Sequence, residues 1–224
     1  MGQVAESKAN TSAIATQLNV NNRSTYLFTK RLLDIMGAVF GLVLLSFLFL
    51  AVAIAIKIED PKGPIFFGQV RIGKNEKVFR MYKFRSMVTD AEERLEALLK
   101  HNETTGAMFK MKRDPRITKI GRFIRKTSID ELPQLWNVLK GDMSLVGPRP
   151  PLLREVATYS EFHKQRLLVQ PGCTGLWQVS GRSKIGFEEM VKLDLEYIQK
   201  RTILFDIKII LKTFKEVFFS KEAY

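Results

Sequence analysis

Cysteine and histidine are scarce in this chain, and their scarcity excludes two kinds of protein. Cys173 is the single cysteine among 224 residues, so the chain has no intrachain disulfide framework. His101 and His163 are the only histidines, too few for a zinc centre built from Cys and His ligands. Neither histidine lies in a motif that would make it the base for a cysteine nucleophile. We therefore expect Cys173 to be a packed structural thiol.

Acidic residues are fewer than basic residues in this chain. The chain has 36 Lys and Arg against 23 Asp and Glu, which gives a net charge of +13. Such a balance implies an anionic partner: nucleic acid, an acidic membrane surface or a phosphorylated substrate. The sequence carries no recognised nucleic-acid-binding motif, so we expect no nucleic acid among the partners.

Charge is absent altogether from residues 35–56, a run of 22 residues. A helix of this length reaches roughly 33 Å, enough to cross the hydrocarbon core of a bilayer. Basic residues flank both ends, so the positive-inside rule is compatible with a spanning helix and with one that enters and turns back. We predict a membrane-embedded helix within residues 26–58. A polar, disordered tail over residues 1–25 precedes it, and an interfacial domain over residues 59–224 follows.

Two adjacent carboxylates, Asp130 and Glu131, follow the most basic part of the chain. Residues 110–126 contain eight Lys or Arg and one acid. Ser128 with Glu131 reads as a capping box, whereas Pro133 favours a helix start nearer Asp130. Either start places both acids in the first turn of a helix.

Two interpretations of the acid pair follow from its position. The acids cap the helix, whose dipole stabilises a first-turn carboxylate by about 0.3–1 kcal/mol. Alternatively, the pair and its surrounding cations form a site for phosphate chemistry, because the free N–H groups of a helix start attract phosphate.

The stretch from Ser128 to Pro150 closely resembles the core signature of the bacterial sugar transferases known as monotopic phosphoglycosyl transferases. Other motifs of that family occur in the same order, and the resemblance runs from about residue 30 to residue 215. These motifs are Lys30-Arg31 with Asp34, YKFRSM at residues 82–87, Pro171-Gly172, TGLWQV at residues 174–179, and Gly181-Arg182.

The resemblance implies an α+β fold that is mostly helical. It comprises an N-terminal re-entrant membrane helix, amphipathic helices at the interface, and a small cytoplasmic catalytic part with a short β-hairpin. In the family a Ser-Pro pair breaks the re-entrant helix. Here the matching pair is Ser46-Phe47, which lacks the proline, the strongest helix kinker. We predict the hairpin from residues 65–72 and 78–85, joined by a turn after Gly73.

The resemblance also implies a reaction. A hexose 1-phosphate passes from a UDP-sugar to undecaprenyl phosphate through an aspartyl-phosphosugar intermediate, and UMP is released. This step begins an exopolysaccharide, capsule or O-antigen type of glycan at the cytoplasmic face of the bacterial inner membrane, among membrane lipids. Asp130 is the implied nucleophile, and Glu131 the implied ligand of Mg²⁺, with Asp130 as a second candidate ligand.

Some questions stay open at this stage. Glucose and galactose are the leading expectations for the sugar, and a homo-oligomer is neither required nor excluded. Two rival functions are an inactive membrane scaffold of the same fold and a basic membrane-anchored module that binds nucleic acid or acidic lipid.

Five cationic side chains are candidates for binding the substrates. Lys83 and Arg85 continue an apolar strand face and either grip phosphates or snorkel at the membrane surface. Arg125, on a predicted helix over residues 117–126, either braces the acid pair or belongs to a solvated basic face. Arg149 in a Pro-rich turn and Arg182 in a Gly-rich loop are candidates for phosphate or nucleotide; for the Gly-rich loop, a purely structural turn is the alternative.

The C-terminal part is predicted to be helical. Residues 152–168 are expected to form one helix, with Arg166 at the surface. Asp194 falls within the apolar face of a helix over residues 187–198, where it either makes a structural salt bridge or belongs to the site. Residues 202–219 form an amphipathic helix for which we favour the membrane interface over core packing.

Overall fold

An N-terminal pair of helices carries just over half of the large apolar side chains that are exposed among the described residues. The computed structural model describes residues 18, 20–98, 111, 114–181 and 185–219. Helix α1 (Ser24–Leu44) and helix α2 (Ser46–Glu59) meet at Leu45 with a bend of 59°. Within the described residues no single helix is long and apolar enough to cross a membrane, whereas the bent pair together meets that test by length and composition.

The bend occurs although the sequence lacks the family proline beside it. Leu45 leaves the helical conformation, with φ −94° and ψ 9°, directly before Ser46. Gly37 and Gly41 of α1 serve close packing instead. A Cβ at Gly37 would lie 2.7 Å from Leu145 Cδ1, and one at Gly41 would lie 2.9 Å from Leu135 Cδ1. The two glycines therefore let α1 approach the globular part closely.

The predicted β-hairpin is present. Strand β1 (Phe66–Ile72) pairs antiparallel with strand β2 (Val78–Phe84) in a register that places Phe66 opposite Phe84. Phe79 and Met81 point inward and are buried against residues of α1 and of the segment that follows the acid pair.

The other helices are short except for the last two. In chain order they are α3 (Ala91–Leu98), α4 (Lys119–Lys126), α5 (Gln134–Lys140), α6 (Leu153–Val156), α7 (Glu161–Lys164), α8 (Phe187–Lys200) and α9 (Ile203–Phe219). The described chain is mostly helical, as predicted.

A second, two-stranded sheet was not predicted from the sequence. Strands β3 (Ser144–Val146) and β4 (Gly172–Thr174) pair in parallel, and the backbone pairing continues from Gly172 N–H to Pro148 O at 2.9 Å. A Cβ on Gly172 would lie 2.0 Å from Gly147 N, so this approach requires a glycine. The sheet holds the turn that contains Arg149 against the Gly-rich loop.

Three apolar clusters hold these elements together. The largest lies under the second sheet and is built mainly from α8 and α9, with Val146, Val191 and Ile198 at its centre. The second joins the hairpin to α1 and α5. The third joins α2 to the end of β2 and to α4 through Val52, Phe84 and Ile124. Both helices of the bent pair are thus packed on the globular part.

Two local predictions are wrong. The helix expected over residues 152–168 is broken into α6, α7 and a 3₁₀ turn at Gln165–Leu168, and Arg166 is buried with 1% exposure. In the segment before α4, Asp114 and Arg116 form a buried ion pair at 2.7 Å, and Arg116 also donates to Ala91 O. Residues 110, 112 and 113 lie outside the described residues.

Two predictions about the ends of the chain can be compared with the structure. Much of the predicted tail lies outside the described residues, but Leu18 and Val20 pack on the largest cluster and Arg201 donates to Asn21 O. At the other end, α9 buries Ile209 and leaves its Leu204, Ile207, Leu211 and Phe214 face exposed. An exposed apolar face is what the interfacial alternative requires.

Candidate active site

Asp130 and Glu131 lie on a 3₁₀ turn, Ile129–Glu131, which we call the acid turn. The expectation that they occupy the first turn of an α-helix is wrong, because α5 begins only at Gln134. The capping box is also absent: Ser128 takes a left-handed backbone with φ 57°, and its side chain makes no capping bond. The acids are therefore presented by a tight turn between α4 and α5.

Asp130 is the more enclosed of the two acids, with 8% exposure. Burial raises the pKa of Asp130 to about 6, with Lys83 opposing that rise, Glu131 adding to it and Arg125 opposing it. A desolvated carboxylate near cations but outside a close ion pair is suited to covalent chemistry on a phosphate.

Glu131 is in a different environment. Its carboxylate is 44% exposed, and Oε1 accepts a hydrogen bond from Lys83 Nζ at 2.6 Å. Desolvation acts to raise the pKa of Glu131, but Lys83, followed by Arg71 and Arg149, holds it below its usual value. Two neighbouring carboxylates with pKa values pushed apart are a common sign of divided roles.

Arg149 is fixed in position by its neighbours. It donates to both carboxylate oxygens of Glu155, at 3.0 and 3.4 Å. Arg71 Nη1 donates to Pro150 O at 2.8 Å, and Ile72 N–H donates to Pro151 O at 3.0 Å. Strand β1 therefore supports the Pro-rich turn that contains Arg149, which we call the arginine turn.

Arg71 and Glu155 are site residues that the sequence analysis missed. Burial and, to a smaller extent, the nearby Arg149 together lower the pKa of Arg71 to about 9. The signal available for Arg71 was its place on the inward face of β1, opposite Phe79. For Glu155 there was no local signal, because its partner Arg149 is defined only by the fold.

The other predicted cations separate into three cases. Arg125 lies in the last turn of α4, close enough to influence Asp130. Arg85 does not reach the acid turn; it is buried and pairs with Asp60 at 2.5 Å. Arg182 lies outside the described residues.

Asp194 makes the structural salt bridge that was one of its two alternatives. It is fully buried against Arg166 Nη2, and Arg166 also donates to Tyr159 Oη at 2.9 Å and to Arg149 O at 3.4 Å. Asp194 thus supports the arginine turn from the interior through Arg166.

The Lys30-Arg31 motif anchors α1 beside the site. Lys30 Nζ donates to Asp206 at 2.8 Å and to Val146 O at 3.0 Å, directly before the arginine turn. Arg31 donates to the last carbonyls of α5, Val138 O and Leu139 O. Asp34 accepts from Leu145 N–H at 2.8 Å and from Ser144 Oγ at 3.0 Å.

Cys173 lies near the site but is unsuited to act as a nucleophile. Burial strongly raises the pKa of its thiol, and the negative charge of Glu131 adds to the rise. The thiolate is the reactive form of cysteine, so this environment makes Cys173 inert, in line with the expectation of a structural thiol.

The acid pair suits a magnesium ion that draws most of its ligands from substrate. No group of three His, Cys, Asp or Glu side chains able to hold a metal occurs among the described residues. Mg²⁺ commonly uses one or two carboxylates together with substrate phosphates and water. Half-exposed Glu131 fits that role with the oxygen that Lys83 does not occupy, and Asp130 is the adjacent second carboxylate.

The chain belongs to the bacterial sugar transferase family, whose sequence pattern matches residues 25–220. This confirms the resemblance described above. The chain is 55% identical over 194 residues to the galactosyl transferase CpsE of Streptococcus agalactiae, and the match covers 86% of this chain and 43% of that protein. It is 45% identical over 212 residues to the undecaprenyl-phosphate galactose phosphotransferase of Salmonella typhimurium, covering 93% of this chain and 44% of that protein.

A third relative has a length closer to that of this chain. The exopolysaccharide production protein ExoY of Sinorhizobium fredii is 40% identical over 200 residues, which cover 88% of each chain. The chain therefore spans less than half the length of the first two relatives and most of the length of ExoY.

Proposed function

We propose that this protein transfers a hexose 1-phosphate from a UDP-sugar to undecaprenyl phosphate and releases UMP. The observation that carries the proposal is the acid turn, where a buried Asp130 lies beside a half-exposed Glu131 within a group of cations. The names of the relatives, which include a galactosyl transferase and an undecaprenyl-phosphate galactose phosphotransferase, support the same chemistry.

In the first step Asp130 acts as a covalent nucleophile. A carboxylate oxygen of Asp130 forms a bond to the β-phosphorus of the UDP-sugar, and the bond from that phosphorus to the bridging oxygen breaks. UMP leaves with the electron pair of that bond. Lys83, Arg125 and Arg149 balance the negative charge of the two phosphates, and an Mg²⁺ ion at Glu131 would neutralise phosphoryl oxygens when bound.

In the second step the lipid takes the sugar phosphate from the enzyme. A phosphate oxygen of undecaprenyl phosphate forms a bond to the same phosphorus, and the Asp130–phosphorus bond breaks to regenerate the carboxylate. One phosphate pocket then serves the donor and the acceptor in turn. Covalent catalysis of this kind divides one difficult transfer into two easier ones.

The surface around the acid turn suits a lipid acceptor. Phe123, in α4, is 59% exposed, and Trp136, in α5, is 54% exposed, so exposed aromatic side chains flank the acid turn on both sides in the chain. Together with the bent pair and the exposed face of α9, they support a catalytic part that rests on the cytoplasmic face of the inner membrane. Large exposed apolar patches of this kind mark interaction with a membrane or a partner.

The proposal is tested by labelling the protein. Purified protein in detergent with Mg²⁺ is mixed with UDP-glucose or UDP-galactose labelled at the β-phosphate, without lipid. We expect label on the wild type that undecaprenyl phosphate removes, and none on Asp130→Asn. The matched control is Asp90→Asn, which removes an exposed acid paired with Arg94 away from the site and should label normally.

Two outcomes would contradict parts of the proposal. Release of UMP only after lipid is added, with label never on the protein, would discard the covalent intermediate. Absence of both signals with every UDP-sugar would favour an inactive scaffold.

A further inference from the structure

The turn that follows the bent helix pair makes hydrogen bonds to two separate elements of the globular part. We call residues 59–63 the exit turn. Glu59 accepts hydrogen bonds from the N–H groups of Lys119 at 2.7 Å and Ile120 at 3.0 Å, which begin α4. Its neighbour Asp60 accepts from Arg85, just beyond the end of β2, at 2.5 Å.

Strand β2 and helix α4 carry the cations that lie near the acid turn. Arg85 follows Lys83 by two residues, and Lys83 makes the ion pair with Glu131. Helix α4 carries Arg125 in its last turn, and the carbonyl of Arg125 accepts a hydrogen bond from Ser128 N–H, directly before the acid turn. Adjacent acids at one end of the membrane-associated helices therefore hold both segments that define the surroundings of Asp130.

The exit turn is shaped to receive the Arg85 guanidinium. Asp60 Oδ1 closes the turn by accepting from the N–H groups of Lys62 and Gly63, which leaves Oδ2 for Arg85. A Cβ on Gly63 would lie 1.5 Å from Arg85 Nη1, so a side chain at this position would force the guanidinium to move. Lys57 Nζ donates to Gly63 O at 3.0 Å and secures the same turn to α2.

Arg85 depends on this turn because it is buried, with 7% exposure. A buried guanidinium that loses its carboxylate is left without a counter-charge, and the side chain must move toward solvent. Movement of Arg85 would disturb the end of β2, and with it Lys83.

We propose that Glu59 and Asp60 are positioning residues that couple the seating of the bent helix pair to the placement of Lys83 and Arg125 around the acid turn. Neither acid touches substrate. Arg85, which the sequence had suggested as a substrate ligand, is assigned to this coupling. The proposal rests on the proposed function only for its effect on turnover, whereas the coupling itself is testable without a substrate.

The first test measures the reactivity of individual lysines. The full chain in detergent is treated briefly with an acetylating reagent, and modification at each lysine is followed by peptide mass spectrometry. In Asp60→Asn, which keeps the acceptor that closes the turn, we expect Lys83 to be modified at least about threefold faster, as a weakened half-exposed ion pair allows. Lys30, which is paired with Asp206 elsewhere, should keep its wild-type rate.

A glycine substitution tests the same coupling without changing charge. Gly63→Ala should displace Arg85 by contact and raise Lys83 reactivity as Asp60→Asn does. The matched control is Gly186→Ala, where an added Cβ has no atom within 4 Å, so Lys83 reactivity should stay unchanged.

Turnover then tests the positioning role. We expect Glu59→Gln and Asp60→Asn each to lower kcat for UMP release about tenfold while KM changes little, since small misplacements at a site are costly. Asp90→Asn and Glu196→Gln, which remove exposed acids paired with Arg94 and Lys200, should match the wild type.

Several results would overturn the proposal. Unchanged Lys83 reactivity in both Asp60→Asn and Gly63→Ala would show that the exit turn does not hold Lys83. A parallel rise at Lys30 and Lys83 would show general loosening instead of coupling. Faster acetylation of Lys83 in a variant that keeps the wild-type kcat would exclude a positioning role. Absence of turnover in the wild type would contradict the proposed function alone. The acetylation rate of Lys83 would still decide whether the coupling exists.

Discussion

Two clusters of acidic and basic side chains in this molecule differ in how their charges are matched. In the acid turn, Asp130 has no close ion pair among the described contacts and Glu131 is half exposed beside Lys83. In the interior, Asp194 and Arg166 are paired and fully buried, with 1% and 0% side-chain exposure. The first cluster leaves Asp130 able to react or to share a cation with Glu131, whereas the second is closed, in the sense that its two charges pair directly with each other, and supports structure.

The anchor at Lys30 is closed in the same way as the Asp194–Arg166 pair. Asp206 accepts from Lys30 and from Tyr197 Oη at 2.7 Å, and Tyr26 Oη lies 3.4 Å from it. Because the carboxylate has several donors, it needs no external cation. A charged cluster of this molecule is therefore a candidate for function where an acid lacks a close ion pair, as at Asp130.

The strongest test of the comparison is Asp130→Asn. We expect turnover to fall by at least about a thousandfold, because the nucleophile is lost, while thermal unfolding stays within a few degrees of the wild type. UMP release and a melting curve in the same detergent give the two readings. Near-wild-type turnover would show that Asp130 is no more than a structural acid.

Glu131→Gln should have the next largest effect on turnover. We expect a loss of about 10- to 100-fold and a higher Mg²⁺ requirement, because a neutral amide binds a hard cation less well than a carboxylate. A titration of Mg²⁺ against the rate of UMP release measures this. Equal Mg²⁺ dependence in variant and wild type would remove Glu131 from the metal site.

Arg166→Met should act on stability instead of turnover, because it breaks the buried Asp194–Arg166 pair. Leaving Asp194 unpaired in the interior should lower the free energy of unfolding by about 3–5 kcal/mol. Urea unfolding measures the loss, and the double variant with Asp194→Leu should recover part of it. A loss below about 1 kcal/mol would show that the buried pair is not required for stability.

Cys173→Ala should have the smallest effect. Because the thiol is half-buried and its pKa is raised, we expect turnover within about twofold of the wild type and little alkylation of the native protein. Rapid inactivation of the wild type by a thiol reagent, absent in the variant, would contradict this.

Elements whose signals are local could be predicted from the amino-acid sequence. The strands on either side of Gly73 follow from alternation and turn chemistry, and α8 follows from its apolar spacing. The acid pair, the cationic segments and the exposed apolar run were also visible as composition. Such features depend on neighbours a few residues away, so they can be read before the chain folds.

The pairing of the charges could not be predicted from the sequence and is seen in the folded chain. Arg85 was grouped with Lys83, yet a residue 25 positions earlier takes it away from the site. Arg166 was assigned to the surface and is paired with a residue 28 positions later in the interior. Parallel strands β3 and β4 are three residues each and far apart in the chain, and they carry no local signal. The reason is that burial and pairing of charge depend on distances through space, which sequence periodicity does not encode.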